Sequence, residues 1–187
     1  INDNNELLAG MSSNQIVFFN MINWEKARTF FAPHISYFNS LSLSKENDLV
    51  SAGNNFFINL WDMSTGEIKR NITADPGGVN VIIINNQNEL ISGGEILPII
   101  KLWNMITGQE IRRLIGHLAA IKDLIINKNN ELISASIDRT IKIWNMTTGE
   151  TKMNITGHTA AIFSLVINDN NELISSSADR TIRVWNM

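Results

Sequence analysis

Short runs of alternating apolar and polar residues recur along the whole chain, and turn-forming residues separate them. In the clearest copy, residues 120–126 are mostly apolar, 131–135 alternate and 140–144 (TIKIW) alternate strictly. A more polar run follows at 150–155. Alternation with a period of two, in segments rich in β-branched and aromatic residues, is typical of strands. The pattern therefore predicts four short β-strands in this copy and argues against an amphipathic helix.

This four-strand unit repeats with a nearly constant period. Segment 131–146, ELISASIDRTIKIWNM, returns at 172–187 as ELISSSADRTIRVWNM, and looser copies lie at 6–21, 48–63 and 89–105. One aromatic residue marks each copy, at intervals of 42, 42, 41 and 41 residues: Phe19, Trp61, Trp103, Trp144 and Trp185. A fixed period of about forty residues with four strands per unit is the pattern of a β-propeller blade. We therefore predict an all-β propeller of about five four-stranded blades.

The predicted blades form one region spanning 1–187, at about 1–31, 34–72, 75–114, 117–155 and 158–187. The first and last hold three predicted strands each, and the last strand of blade one is expected at 24–29. We therefore expect an excerpt of a larger ring of seven or eight blades, since propellers typically close with four to eight. The alternative is a self-contained five-bladed assembly. If the chain is complete as given, self-association would be the first function to test.

The residues around these strands resemble the WD-40 repeat of the WD-repeat β-propellers. The shared motif is Gly-His, then Ser, then Asp, then Trp-Asn or Trp-Asp, and it is clearest in the fourth and fifth copies. In that family the His, Ser, Asp and Trp side chains form a buried hydrogen-bonded tetrad. The resemblance implies three tetrads, the last with Asn in place of Asp: His117, Ser134, Asp138 and Trp144; His158, Ser175, Asp179 and Trp185; His34, Ser51, Asn55 and Trp61.

Two blades depart from the motif. Blade three keeps Ser92 and Trp103 but has Asp75 where His belongs, and turn 93–98 contains one extra residue. Blade one has Ala9, Ser13 and Phe19 at the Ser, Asp and Trp positions, so no tetrad is expected there.

The Ser, His and Asp residues also invite a catalytic interpretation, because hydrolase triads use the same residue types. A nucleophilic Ser needs an oxyanion hole and access to substrate. Here the same set recurs once per blade at positions predicted to be buried, which favours a structural role. We therefore expect no catalytic residues, no metal site and no cofactor. An enzymatic alternative would need non-repeating polar residues at the channel, and only Asp75 and Glu95 are candidates.

Composition narrows the classes of partner. The net charge of −3 and the pI near 5.6 lack the basic character that nucleic-acid binding usually needs. The chain has no cysteine, which excludes disulfides and thiolate metal sites. No apolar run approaches the ~20 residues of a membrane span. We expect protein or peptide partners, no specific nucleic acid, no membrane, and a cytoplasmic or nuclear location.

In WD-repeat proteins, partners often dock on the face that carries the Gly-His loops and the turns between the second and third strands. The resemblance implies these candidate partner-binding residues: Tyr37, Asn39, Asn54, Asn80, Lys122, Ile137 and Phe163. Aromatic and aliphatic side chains such as Tyr37, Ile137 and Phe163 are typical interface anchors. The alternative is that they only line the mouth of the channel.

The expected function is that of a non-enzymatic protein–protein interaction scaffold, a rigid platform that presents top-face loops to protein or peptide partners. The alternative is a sensor or substrate-receptor region of a larger enzyme, such as an NTPase, a kinase or a ubiquitin-ligase complex.

Overall fold

The computed structural model describes residues 6–10, 14–32, 37–74 and 76–186, and within these ranges all regular secondary structure is β-strand. No helix in this described part is long and apolar enough to cross a membrane. The strands form five antiparallel sheets, which we call blades one to five in chain order. The all-β prediction is confirmed, as is the prediction of four-stranded, propeller-type blades.

In each sheet, neighbouring strands are consecutive in the sequence. Blade one contains β1 (Glu6–Gly10), β2 (Gln15–Asn20) and β3 (Lys26–Phe31). Blade two contains β4 (Phe38–Leu43), β5 (Leu49–Gly53), β6 (Phe57–Trp61) and β7 (Ile68–Thr73). Blade three contains β8 (Val79–Ile84), β9 (Glu89–Gly94), β10 (Ile99–Asn104) and β11 (Glu110–Ile115). Blade four contains β12 (Ile121–Ile126), β13 (Leu132–Ser136), β14 (Ile141–Trp144) and β15 (Thr151–Ile155). Blade five contains β16 (Ile162–Ile167), β17 (Glu172–Ser177) and β18 (Ile182–Asn186).

The last strand of blade one begins two residues later than predicted, at Lys26 instead of residue 24. Trp24 has a left-handed backbone (φ 60°), and its N–H donates to the carbonyl of Asn20 at 2.8 Å. Gly66 and Gly108 make the equivalent bond in blades two and three, also with positive φ. A tight turn of this kind needs a left-handed residue, which is normally Gly. Trp24 therefore belongs to the turn, although its aromatic side chain suggested a strand.

The hydrophobic core lies between the blades. Ile100 and Leu102 of blade three pack with Leu124, Leu132 and Trp144 of blade four, and equivalent clusters fill the other three junctions. Burial of apolar side chains contributes roughly 1.5–3 kcal/mol for each large residue. A single blade cannot bury both of its faces, so the stability of each blade depends on the neighbour stacked against it.

An arginine on the fourth strand of blades one to three links each blade to the next. Arg28 donates to the carbonyl of Met63, Arg70 to that of Thr107 at 3.2 Å, and Arg112 to that of Met146 at 3.5 Å and to that of Thr147. Met153 has the equivalent position in blade four, opposite Ile143 in the strand register. The arginines therefore fix the turn between the third and fourth strands of the following blade.

Candidate functional site

Four side chains predicted to act together in blade four form one hydrogen-bonded chain. Trp144 Nε1 donates to Ser134 Oγ at 2.8 Å, His117 Nε2 lies 2.7 Å from the same oxygen, and His117 Nδ1 lies 2.7 Å from Asp138 Oδ2. Because an ionised carboxylate only accepts, Nδ1 carries a hydrogen, and in the neutral ring Nε2 accepts from the Ser134 hydroxyl. That hydroxyl oxygen accepts the indole N–H in turn. Each donor in this buried chain therefore has an acceptor.

Blade five repeats the arrangement forty-one residues later. His158 Nδ1 lies 2.7 Å from Asp179 Oδ2 and its Nε2 lies 2.8 Å from Ser175 Oγ, which also accepts from Trp185 Nε1 at 2.9 Å. His158 and Ser175 are buried, like their counterparts in blade four. The same geometry in two consecutive blades indicates a structural unit of the repeat.

A threonine completes each chain, and the prediction from sequence missed it. Thr140 donates to Asp138 Oδ1 through its hydroxyl at 2.6 Å and its backbone N–H at 2.9 Å. The N–H of Leu118 donates to Oδ2 at 2.9 Å. Thr181 and Thr159 supply the same donors to Asp179. The available signal was the Asp-Arg-Thr triplet, which occurs at 138–140 and again at 179–181.

These donors control the ionisation of the two carboxyl groups. Burial opposes the charge on Asp138, but the hydrogen bonds from His117, Thr140 and the Leu118 N–H outweigh it and hold its pKa well below the usual range. The Thr181 hydroxyl is the largest cause that lowers the pKa of Asp179, followed by His158 and the backbone N–H groups, again against burial. Both side chains are therefore anionic acceptors at neutral pH.

The same units hold the exposed turns in place. Ile137 follows β13, and its N–H donates to the carbonyl of Ala120 at 3.0 Å, while Ser136 Oγ donates to the carbonyl of Ala119 at 2.7 Å. In blade five, Ala178 makes the same backbone bond to Ala161 at 2.9 Å. The turn between the second and third strands is thus tied to the loop that follows Gly-His. We call the edge formed by these turns and loops the top edge.

Blades two and three retain part of the arrangement. Trp61 Nε1 donates to Ser51 Oγ and Trp103 Nε1 donates to Ser92 Oγ, both at 2.8 Å. The Asn55 side chain accepts from the N–H of Phe57 at 3.4 Å within its own turn. The predicted His34, with Ser13 and Asp75, lies outside the described residues. The third tetrad is therefore described only for its Ser51–Trp61 pair.

The predicted partner-binding residues divide into three groups. Tyr37, Ile137 and Phe163 are 44%, 40% and 52% exposed. Asn39 and Asn80 instead donate across the blade junctions, to the carbonyls of Val79 at 3.0 Å and Ile121 at 2.9 Å. The remaining two are half-buried: Asn54, whose side chain accepts from the Tyr37 N–H at 3.5 Å, and Lys122, at the position equivalent to Asn39 and Asn80. Asn39 is exposed as well, but its amide is bonded to Val79, so the apolar group carries the exposed side chains without such a bond.

The top edge also carries large apolar side chains that the motif did not predict. Phe56, Ile96 and Leu118 are 53%, 71% and 88% exposed, and Leu97 is 39% exposed. Ile96 and Leu97 lie in the turn of blade three that contains the extra residue. That insertion was the available signal for an unusual surface.

Comparison with known families agrees with the geometry. The family model described as "WD domain, G-beta repeat" matches residues 108–145 and 149–186. Each match begins at or just before the fourth strand of one blade and ends at the third strand of the next. Residues 108–145 and 149–186 therefore match the WD40 repeat, which confirms the resemblance to the WD-repeat family. A search of curated proteins found no match.

Proposed function

We propose that this protein is a non-enzymatic scaffold that binds protein or peptide partners through its top edge. WD40 repeats generally mediate protein–protein interaction, which supports the general class. The observation that carries the proposal is the combination of exposed apolar side chains with firmly held turns. Ile137 is 40% exposed, yet its backbone N–H is bonded to Ala120 and the adjacent Asp138 accepts from four donors.

Preorganisation is the mechanism that we infer. Association costs free energy when loops and side chains must be ordered at the interface. In blades four and five, the bonds from Ile137 to Ala120 and from Ala178 to Ala161 already order the turns. A partner therefore meets Ile137 and Phe163 on backbone that is already fixed. Specificity would come from these exposed side chains, because the buried units are the same in both blades.

The environment of the serines supports a non-enzymatic role. Ser134 is fully buried, and its oxygen is already bonded to His117 and Trp144. A nucleophile must reach a substrate carbonyl next to an oxyanion hole. Ser134 has no such access, and Ser175 has the same partners in blade five. The Ser-His-Asp geometry thus serves packing and the positioning of turns.

The test is partner capture with matched variants. Tagged wild-type chain would be compared with Tyr37→Ser/Ile137→Ser/Phe163→Ser, and with Ile106→Ser, which removes an 80% exposed isoleucine from the turn between β10 and β11 at the opposite edge. Circular dichroism would first establish that all chains fold. We expect at least one protein to be captured by the wild type and by Ile106→Ser but lost from the triple variant. Equal capture by all three chains would contradict the proposal.

A further inference from the structure

The turn of blade three that contains the extra residue is an exposed apolar turn on the top edge. The turn between β9 and β10 contains Glu95, Ile96 and Leu97, which we call the blade-three ridge. Ile96 is 71% exposed and Leu97 is 39% exposed. The equivalent turns of blades four and five carry the Asp-Arg pairs at 138–139 and 179–180. Blade three therefore carries two adjacent aliphatic side chains in this turn, where blades four and five carry an Asp-Arg pair.

The ridge is held by close packing despite its exposure. The N–H of Glu95 donates to the carbonyl of Gly78 at 3.2 Å, and the N–H of Ile99 donates to that of Leu97 at 2.8 Å. Gly77 has φ +108°, and a Cβ there would lie 2.6 Å from the Cβ of Ile96. Only glycine allows this approach. The backbone is thus shaped so that Ile96 sits directly against loop 76–78.

The same loop lies between the ridge and the turn of blade two that contains Phe56. Gly78 packs between blades, because a Cβ there would lie 3.1 Å from the Cα of Asn54 and 3.3 Å from Glu95 Oε2. Two residues after Asn54, the carbonyl of Phe56 accepts from the N–H of Ala74 at 2.6 Å, and the Phe56 side chain is 53% exposed. The turn of blade two that carries Phe56 therefore packs against loop 76–78, as the blade-three ridge does on the other side.

The ridge and the segments beside it carry a negative charge. In the described residues 54–56, 76–78 and 95–98, Glu95 is the charged side chain, and no Lys, Arg or His of the described chain forms an ion pair with it. A carboxylate beside exposed aliphatic and aromatic groups is complementary to a cation that stands next to an apolar side chain. Such complementarity contributes mainly to specificity and association rate, while apolar anchors supply most of the affinity.

We propose that the blade-three ridge, together with Phe56, binds a linear peptide segment in which a Lys or Arg stands next to an aliphatic or aromatic residue. The apolar side chain of the segment contacts Ile96, Leu97 and Phe56, and its cation pairs with Glu95. This inference rests on the proposed scaffold function and assigns the chemistry of one partner to one part of the top edge.

The test selects peptides from a displayed library of random linear sequences on the purified full chain. Enriched peptides would be synthesised with a fluorescent label, and their dissociation constants measured by anisotropy for four chains: wild type, Ile96→Ser/Leu97→Ser, Glu95→Lys and the control Ile106→Ser. We expect the enriched sequences to contain a basic residue adjacent to an apolar one. We expect binding to weaken by about tenfold or more in the double variant, as for a buried anchor, and to be unchanged in Ile106→Ser.

The charge-reversed variant tests the electrostatic part separately. Glu95→Lys should weaken the binding of the basic peptides. A selection repeated on the Glu95→Lys chain should enrich acidic peptides instead. Enriched peptides that are not basic, or that bind the double variant as well as the wild type, would overturn the inference. If peptides bind but depend on Ile137 and Phe163 instead of the ridge, only this inference fails. If no peptide is enriched and no partner is captured by the top edge, the proposed function fails with it.

Discussion

The Nδ1 atom of His117 lies 2.7 Å from Oδ2 of Asp138. This contact connects the buried indole and serine of blade four to a turn at its exposed edge. The carboxylate also accepts from the Thr140 hydroxyl, the Thr140 N–H and the Leu118 N–H. One side chain thus satisfies four donors from three residues, and its removal should disturb both the core and the surface turn of the blade.

We therefore expect Asp138→Ala to destabilise the protein more than Asp169→Ala. Removing Asp138 leaves His117 and neighbouring N–H groups without an acceptor, and a buried unsatisfied group typically costs ~1–3 kcal/mol. Asp169 lies in an exposed turn, and it is its backbone carbonyl that accepts a hydrogen bond from Lys128. Surface changes of that kind usually stay within about 0.5 kcal/mol. Urea denaturation would compare the two free energies of unfolding, and equal losses would contradict the assigned role of Asp138.

Stability should fall with acid in a way that depends on these carboxyl groups. The pKa of Asp138 is lowered in the folded state, whereas an unfolded Asp titrates near about 3.9. Below that pH the unfolded chain binds a proton that the folded chain does not, so the free energy of unfolding decreases as the pH falls. The contribution is fully present above the unfolded pKa. Asp138→Asn should remove it.

The measurement is urea unfolding between neutral pH and about pH 3, which lies near the lower end of the pKa values usual for Asp side chains. We expect a shallower acid dependence for Asp138→Asn than for wild type, whereas Asp169→Asn should follow the wild-type curve. Parallel curves for wild type and Asp138→Asn would show that Asp138 does not couple to folding as described.

Arg112 should stabilise the junction between blades three and four. Its guanidinium donates to carbonyls of Met146 and Thr147 in the next blade. Arg112→Met, which copies the natural Met153 of blade four, keeps most of the apolar stem but removes these bonds, so we expect a loss of about 1–2 kcal/mol. The control is Arg113→Met, because Arg113 pairs with Glu110 of its own blade at the surface, where such pairs contribute about 0–1 kcal/mol. Thermal unfolding would compare the stability of the two variants. A larger loss in Arg113→Met than in Arg112→Met would refute the inter-blade role of Arg112.

Phe163 and Leu165 lie on the same strand, β16, but should respond differently to truncation. Phe163 is 52% exposed, whereas Leu165 is 5% exposed and belongs to the core between blades four and five. Leu165→Ala should cost roughly 2–5 kcal/mol, as for other buried leucines. Phe163→Ala should change the free energy of unfolding by less than about 1 kcal/mol while weakening partner capture. A large stability loss in Phe163→Ala would place it in the core and remove it from the proposed docking surface.

The architecture was largely predictable from sequence because the strand period and the Trp period are both local signals. The side chains that the structure brings together in blades four and five, such as His117 and Asp138, belong to the copies with the clearest motif. Asn39 donates to Val79 of the next blade, a contact that alternation does not encode. Thr140 bonds to Asp138 only two residues away, and the repeated Asp-Arg-Thr triplet was the signal for it. The predicted start of the last strand of blade one was wrong at Trp24. An aromatic side chain usually indicates a strand, but this Trp has the left-handed backbone that the turn needs.

The central claim is that the top-edge turns are ordered before any partner binds, and amide hydrogen exchange of the free protein tests it most directly. The N–H groups of Leu118, Ile137 and Ala178 belong to exposed residues but donate to Asp138, Ala120 and Ala161. We predict that all three exchange much more slowly than in an unstructured peptide of the same sequence, and that Asp138→Ala removes the protection of Leu118. Exchange of these amides at unstructured rates in the wild type would contradict the account.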